Sequence, residues 1–114
     1  MHTKLLLILT LATALTGCSN GGSAVDCKQV TVPKFTEITG WGKCTSCHSS
    51  ALSGASRAGA PASINFDNYD DAVSDADLAL SELDEGAMPP AGSPKLSAAE
   101  KDQIVNWASC DTPQ

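Results

Sequence analysis

Five cysteines constrain this chain more than any other feature, because each thiol needs a partner, a cofactor or a modification to explain it. Two of them stand three residues apart, at Cys44 and Cys47, and His48 follows at once. The other three, at positions 18, 27 and 110, are single and far apart. On a helical turn this spacing puts both thiols of the pair on one face, with His48 on the same side as Cys44.

The C-x-x-C-H pattern from Cys44 to His48 is that of c-type haem attachment. In such a site the two sulfurs bond the haem vinyl groups, and the histidine ligates the iron. A thioredoxin-like redox pair or half of a zinc site can also contain C-x-x-C. Neither suits this chain, because it lacks a second ligand pair with matching spacing and the βαβ pattern of redox proteins. We therefore expect one covalently attached haem c, with iron, per chain.

The amino terminus predicts export. A basic start leads into an apolar stretch from Leu5 to Leu15, which is too short to span a bilayer and is typical of a secretory signal. The residues that follow, Thr16-Gly17-Cys18, complete a segment that resembles the lipobox of bacterial lipoproteins. That resemblance implies lipidation of Cys18 and removal of residues 1–17 as a signal peptide.

The alternative is ordinary cleavage after the A-x-A pattern at positions 12–14, which would leave Cys18 as a free thiol in a soluble protein. If Cys18 is lipidated, residues 18–26 have the composition of a flexible tether, and residues 27–114 form one small domain. Ser19 is not the aspartate that usually retains lipoproteins in an inner membrane. The predicted location is therefore a membrane facing the periplasm, with the outer membrane favoured.

The net charge and the small size of the mature chain limit which partners and cofactors are expected. Loss of residues 1–17 removes one of the seven basic residues and none of the thirteen acidic ones, which leaves a formal charge of about −7. Such a balance argues against nucleic acid as a partner. A domain of this size buries little apolar surface, so a cofactor or a disulfide is expected to stabilise it.

Met88 is the candidate for the second axial ligand of the iron. His2 and Met1 leave with the signal peptide, so Met88 is the only thioether of the mature chain, and the only histidine left is His48. It lies in a loop, from Gly86 to Gly92, that two prolines stiffen. The alternative is a methionine that fills the core, but core residues belong to a periodic apolar face.

Three helices are predicted and no strand, so the fold class is all-α. The first runs from about Pro33 to Cys47, although Gly40 and Gly42 weaken it unless they permit close approach of another helix. The second runs from about 68 to 84, on the apolar spacing from Tyr69 to Leu83. The third begins with the capping box Ser97 to Glu100 and ends near Cys110.

An attachment motif on an early helix, a methionine in a proline loop and a closing helix with an aromatic residue resemble the small class I cytochromes c. The similarity covers Cys27 to about Pro113. It is strongest to bacterial lipoprotein cytochromes with a Gly-Ala-Pro segment, here residues 59–61, and a Met-Pro-Pro loop, here residues 88–90. The resemblance implies a three-helix fold around one haem with His48 and Met88 as axial ligands.

Two further features are implied by the resemblance. A proline carbonyl accepts a hydrogen bond from the second nitrogen of the ligating histidine, and Pro61 is the matching residue, unless it only ends a turn. The first and last helices cross, which would bring Gly40 and Trp41 toward Ile104 and Trp107. A crowded lysine ring, as in the larger mitochondrial type, is absent.

Elimination leaves Cys27 and Cys110 as a disulfide pair, in agreement with an oxidising compartment. The family's habit of placing the first and last helices in contact points the same way. The alternative is two unrelated thiols, with Cys27 too close to the tether to be ordered.

The predicted function is the transport of single electrons between redox protein partners whose identity the sequence does not reveal, with no catalytic group of the protein's own. Two alternatives stay open: a haem-based sensor of small ligands, in which Met88 is displaced, and an electron-entry subunit of a larger oxidoreductase. Eight acidic residues and no basic one lie from Asp67 to Glu85. They form either the solvated face of a helix or a surface that steers a basic partner.

Overall fold

The computed structural model describes residues 24–114. In this range the chain has four α-helices and two short 3₁₀ turns and no strand, as an all-α fold requires. The helices are α1 (Trp41–Cys44), α2 (Tyr69–Ser74), α3 (Ala76–Asp84) and α4 (Ala98–Ser109), and the turns are Phe35–Glu37 and Gly54–Arg57. No helix among these residues is long and apolar enough to cross a membrane. The predicted signal peptide, Cys18 and residues 19–23 of the predicted tether lie outside the described range.

The first predicted helix is wrong in extent. Instead of one helix from Pro33 to Cys47, the chain makes a 3₁₀ turn, becomes extended at Ile38 (ψ 106°) and begins α1 only at Trp41. The backbone N–H of Thr39 donates to Gln103 Oε1 on α4 at 3.1 Å, rather than to a carbonyl one turn back. The bond to α4 thus replaces the helical bond at the point where the prediction placed a continuous helix.

The second predicted helix divides at Asp75 into α2 and α3. Asp75 has φ −103° and ψ 10°, and its N–H donates to the carbonyls of Asp71 and Val73. Aspartate is a weak helix former, because its side chain competes for backbone groups. The start is as expected, since Asn68 Oδ1 accepts from the N–H of Asp71 at 2.9 Å and caps α2.

The last helix agrees with the prediction, including its capping box. Ser97 Oγ accepts from the N–H of Glu100 at 3.2 Å, and Glu100 Oε2 accepts from the N–H of Ser97 at 2.7 Å. The helix buries Ile104 and Trp107 completely and packs against α3.

Aromatic rings form the centre of the core. Trp41 stacks on Phe66 with centroids 5.2 Å apart, and it meets Trp107 edge to face at 5.4 Å. The ring centroids of Phe35 and Tyr69 lie 5.8 Å apart, and the hydroxyl of Tyr69 donates to the carbonyl of Thr112. These contacts bring α1 against α4, as the expected crossing of the first and last helices requires.

Gly40 makes this close approach possible. A Cβ at Gly40 would lie 3.0 Å from Ile104 Cδ1 and 3.1 Å from Leu96 Cδ2, both closer than ordinary contact. Gly42 has no such neighbour within 4 Å, so only the first of the two glycines is required by the crossing.

The two ends of the described chain are joined. Cys27 and Cys110 form a disulfide with their Cα atoms 5.7 Å apart, and the two cysteines are 83 positions apart in sequence. Next to it, the carbonyl of Pro113 accepts from the N–H of Phe35 and from Trp107 Nε1, each at 2.9 Å. The segment before α1 and the end of α4 are therefore held together by covalent and polar bonds.

Candidate functional site

A cavity of about 450 Å³ lies between the attachment segment and the loop after α3. Its volume is within the range of cofactor and small-ligand sites. The lining is largely apolar. It includes residues from α1, the turn after it, the segment 57–66, α3, the proline loop and α4: Trp41, Cys44, Cys47, His48, Pro61, Ile64, Phe66, Leu78, Leu83, Met88, Pro89, Pro90 and Ile104.

The structure brings the five predicted cofactor residues to this one cavity. Cys44, Cys47 and His48 come from α1 and the turn that follows it, Pro61 from the next loop, and Met88 from a position forty residues beyond His48. Met88 and the attachment motif thus share a cavity although they are distant in sequence.

The thiols of Cys44 and Cys47 are free, and both side chains are partly buried. The N–H of His48 donates to the carbonyl of Cys44 at 2.9 Å, so the helical turn continues past the end of α1. Burial, together with the negative charge of Glu100, raises the pKa of the Cys44 thiol to about 11. At neutral pH Cys44 is therefore a neutral thiol, whereas nucleophilic redox cysteines have a lowered pKa.

One nitrogen of the His48 ring is held by the backbone. Nδ1 lies 3.3 Å from the carbonyl oxygen of Ile64. A carbonyl oxygen can only accept, so Nδ1 is the donor in this contact, and Nε2 is the ring nitrogen left for a ligand. The ring also meets Phe66 edge to face, with centroids 5.6 Å apart. A histidine oriented in this way has one nitrogen free to bind a metal.

The loop that carries Met88 is tied to α3. The N–H groups of Ala87 and Met88 both donate to the carbonyl of Glu82, at 3.0 and 3.2 Å. Met88 itself is 39% exposed although it lines the cavity, and Leu78, which lines the same cavity, is 41% exposed. Two large apolar side chains thus remain open toward an apolar cavity, which is the arrangement that a bulky apolar ligand would cover.

Two lysines connect the attachment helix to the proline loop. Lys43 Nζ donates to the carbonyl of Lys95 at 2.8 Å and to Glu100 Oε2 at 2.6 Å. Lys95 Nζ in turn donates to the carbonyls of Pro89 and Pro90. Sequence reasoning missed this link, since the two lysines are 52 positions apart and no local pattern connects them.

Trp41 contributes a polar atom that nothing in the described protein satisfies. Its Nε1 is buried without a hydrogen-bond partner, and the side chain lines the cavity. A buried N–H without an acceptor costs about 1–3 kcal/mol. A bound group with an acceptor oxygen would satisfy this donor. The resemblance placed Trp41 only at the crossing of the first and last helices.

The hydrogen bond expected between His48 and Pro61 is not the one in the structure. The carbonyl of Pro61 accepts from Arg57 Nη2 at 2.6 Å, while His48 Nδ1 faces Ile64. The prediction of Pro61 as partner of the histidine is therefore corrected to Ile64. The loop from Pro61 to Ile64 folds so that Arg57 binds both carbonyls, and only the Ile64 carbonyl also lies within reach of the His48 ring.

These residues fit a covalently held haem. The cavity offers two free thiols, an imidazole with a free nitrogen, a thioether, an apolar lining and one unsatisfied donor. Between residues 24 and 114 no group of three or more His, Cys, Asp and Glu side chains lies close enough to hold a metal ion by itself.

Comparison of the chain with protein-family models, with curated proteins and with solved structures finds no match.

Proposed function

We propose that this chain is a monohaem cytochrome c of the class I type, which carries single electrons as a lipid-anchored protein of the periplasm. Cys44 and Cys47 would hold the haem, His48 and Met88 would be its axial ligands, and lipidated Cys18 would tether it. The observation that supports this most is the joining of Cys44, Cys47, His48 and Met88 around one apolar cavity.

When bound, the haem supplies reversible one-electron redox chemistry at its iron. The protein orients the ligands. Ile64 fixes the ring of His48, and Glu82 fixes the backbone of Met88. A thioether opposite an imidazole raises the reduction potential compared with two imidazoles. Trp41, Phe66 and Ile104 line the cavity with apolar surface that excludes water.

The alternative of a thiol–disulfide redox protein is disfavoured by Cys44. Exchange requires the thiolate, and burial raises the pKa of this thiol to about 11. In a haem protein the same burial is useful, because the sulfur is then part of a neutral thioether against an apolar lining.

A partner with a basic surface is favoured by the charges of α2 and α3. Asp70, Asp77, Asp84 and Glu85 are exposed along these helices and the start of the loop after them. Two of the basic residues do not offset this charge at the surface, because Arg57 is buried and Lys43 forms a salt bridge with Glu100. The exposed charge is therefore mainly negative here, and electron transfer with a basic partner should slow as salt rises.

An absorption spectrum of the reduced protein, with and without carbon monoxide, tests the carrier against the small-ligand sensor. An intact bond between iron and the Met88 sulfur blocks the sixth position, so a carrier's spectrum stays unchanged. Rapid conversion to a carbon monoxide complex would support the sensor instead. Absence of a haem spectrum altogether would contradict both.

A further inference from the structure

Arg57 is an arginine in an unusual place. Its side chain is 4% exposed and lines the same cavity as His48. Charged side chains are almost never buried to this degree without a partner of opposite charge. Within residues 24–114 the one ion pair is that of Lys43 with Glu100, so Arg57 faces no carboxylate directly.

Neutral oxygens satisfy the guanidinium completely. Arginine has five N–H donors. Here Nε donates at 3.1 Å, Nη1 at 2.6 and 3.1 Å, and Nη2 at 2.6 and 2.9 Å. The acceptors, in that order, are the carbonyl of Ala60, the carbonyl of Ser49, Asn65 Oδ1, and the carbonyls of Pro61 and Ile64. The charge is therefore solvated by backbone dipoles instead of being neutralised.

One of these acceptors is the oxygen that holds the histidine. The Ile64 carbonyl faces Arg57 Nη2 at 2.9 Å and His48 Nδ1 at 3.3 Å. Arg57 Nη2 and His48 Nδ1 consequently lie within about 6 Å of each other, a range in which the charge of Arg57 acts strongly on a group bound at the ring in a buried site. The shorter bond is the one to Arg57, so the arginine weakens the acceptor that remains for the histidine.

We propose that Arg57 is a positioning residue that raises the reduction potential of the haem by acting on His48. This inference rests on the proposed function. The buried positive charge disfavours oxidised iron, which carries one more positive charge than reduced iron. By sharing the Ile64 carbonyl, Arg57 also makes Nδ1 of His48 a weaker donor and the imidazole a less basic ligand, which again favours reduced iron.

Asn65 stands between the guanidinium of Arg57 and the carboxylate of Asp71. Asn65 accepts from Arg57 through Oδ1 and donates from Nδ2 to Asp71 Oδ2 at 3.3 Å. Asn65 thus separates the charges of Arg57 and Asp71. A carboxylate at position 65 would instead neutralise Arg57 directly. This arrangement leaves the positive charge effective at the histidine.

The first experiment compares the reduction potentials of Arg57→Lys and Arg57→Met in the intact haem protein. Lysine keeps the charge and loses the fork of donors, while methionine removes both. We expect Arg57→Met to shift the equilibrium between oxidised and reduced iron about tenfold toward the oxidised form, which is about 59 mV for one electron. Arg57→Lys should keep most of the wild-type potential even though both variants lose stability. Equal potentials in the two variants would overturn the inference.

A second variant keeps Arg57 and its packing, in case Arg57→Met does not fold. The double exchange Asn65→Asp with Asp71→Asn keeps the net charge and brings the carboxylate against the guanidinium. The reduction potential should fall, again by the amount that shifts the equilibrium between oxidised and reduced iron about tenfold. The single variant Asp71→Asn should leave the reduction potential unchanged or raise it. A double exchange with wild-type potential would overturn the role of Arg57.

Different results would overturn the proposed cytochrome c function and the proposed role of Arg57. A wild-type protein without covalently held haem, shown by mass spectrometry before any potential is measured, overturns the proposed function and this inference with it. A wild-type haem protein whose potential does not respond to either set of variants overturns only the inference. NMR gives a readout independent of the haem, since the guanidinium protons of Arg57 should exchange slowly with water.

Discussion

Lys43 Nζ lies 2.6 Å from Glu100 Oε2 and joins α1 to the first turn of α4. Glu100 also accepts from the N–H of Ser97, so one carboxylate both caps α4 and holds the helix that carries Cys44. The bond to Lys43, followed by that to Ser97, lowers the pKa of Glu100 from 4.5 to about 2.

This shift predicts how stability depends on acid. The folded state favours the ionised carboxylate, so its contribution is complete above the unfolded pKa of 4.5 and is lost as the pH falls toward about 2. We expect Glu100→Gln to lower the free energy of unfolding at pH 7 and to match the wild type near pH 2. Denaturant unfolding at several pH values measures the difference. Asp102→Asn, which removes one negative charge at an exposed site on the same helix, is the control for loss of charge alone.

The close approach at Gly40 predicts opposite effects of alanine at two neighbouring glycines. At Gly40 the new Cβ would press on Ile104 and Leu96, and such overpacking costs about 1–3 kcal/mol. At Gly42, inside α1 with open space around it, alanine should be neutral or stabilise by about 0.5–1 kcal/mol. Thermal unfolding of the two variants checks this. A Gly40→Ala variant as stable as Gly42→Ala would contradict the packing.

The disulfide between Cys27 and Cys110 joins two positions that are 83 apart in sequence and thereby closes a long loop. On the chain-entropy model, a loop of this length stabilises the folded state by about 4 kcal/mol. We expect the Cys27→Ala, Cys110→Ala double variant to melt at a markedly lower temperature than the wild type. Thiol counting on the denatured, unreduced mature protein provides the check: none should react before reduction and two after it. Two reactive thiols before reduction would exclude the bond.

Met88→Ala should leave the haem attached, because attachment depends on Cys44 and Cys47. The iron should lose its low-spin six-coordinate spectrum, bind carbon monoxide when reduced and show a lower potential, because the thioether is gone. Val73→Ala is the matched control, since Val73 is similarly exposed but does not line the cavity. If Met88→Ala keeps the wild-type spectrum and potential, the sixth ligand is another group.

Much of the site was predictable because its chemistry is local in sequence. The spacing from Cys44 to His48 predicted a shared helical turn, and the proline loop predicted an irregular position for Met88. The capping box of α4 needed only Ser97 and Glu100. These features depend on residues that are only a few positions apart, and such short spacings can be read directly from the sequence.

Two of the errors, in the first helix and in the partner of His48, came from contacts that local sequence patterns do not show. The bond from Thr39 to Gln103 ends the first predicted helix early, across 64 positions of sequence. Arg57 was not predicted as a residue of the site, because its burial depends on backbone and side-chain oxygens that converge only in the folded loop. The same convergence moves the partner of His48 from Pro61 to Ile64. No local pattern in the sequence reports such convergence.

Covalent attachment of one haem through Cys44 and Cys47 is tested most directly by mass spectrometry of the denatured protein, after expression in a host that matures c-type cytochromes. The wild-type chain should carry the added mass of one haem that denaturant does not remove, and the Cys44→Ala, Cys47→Ala double variant should carry none. A wild-type chain without that mass, or a double variant that keeps it, would contradict the proposed cytochrome.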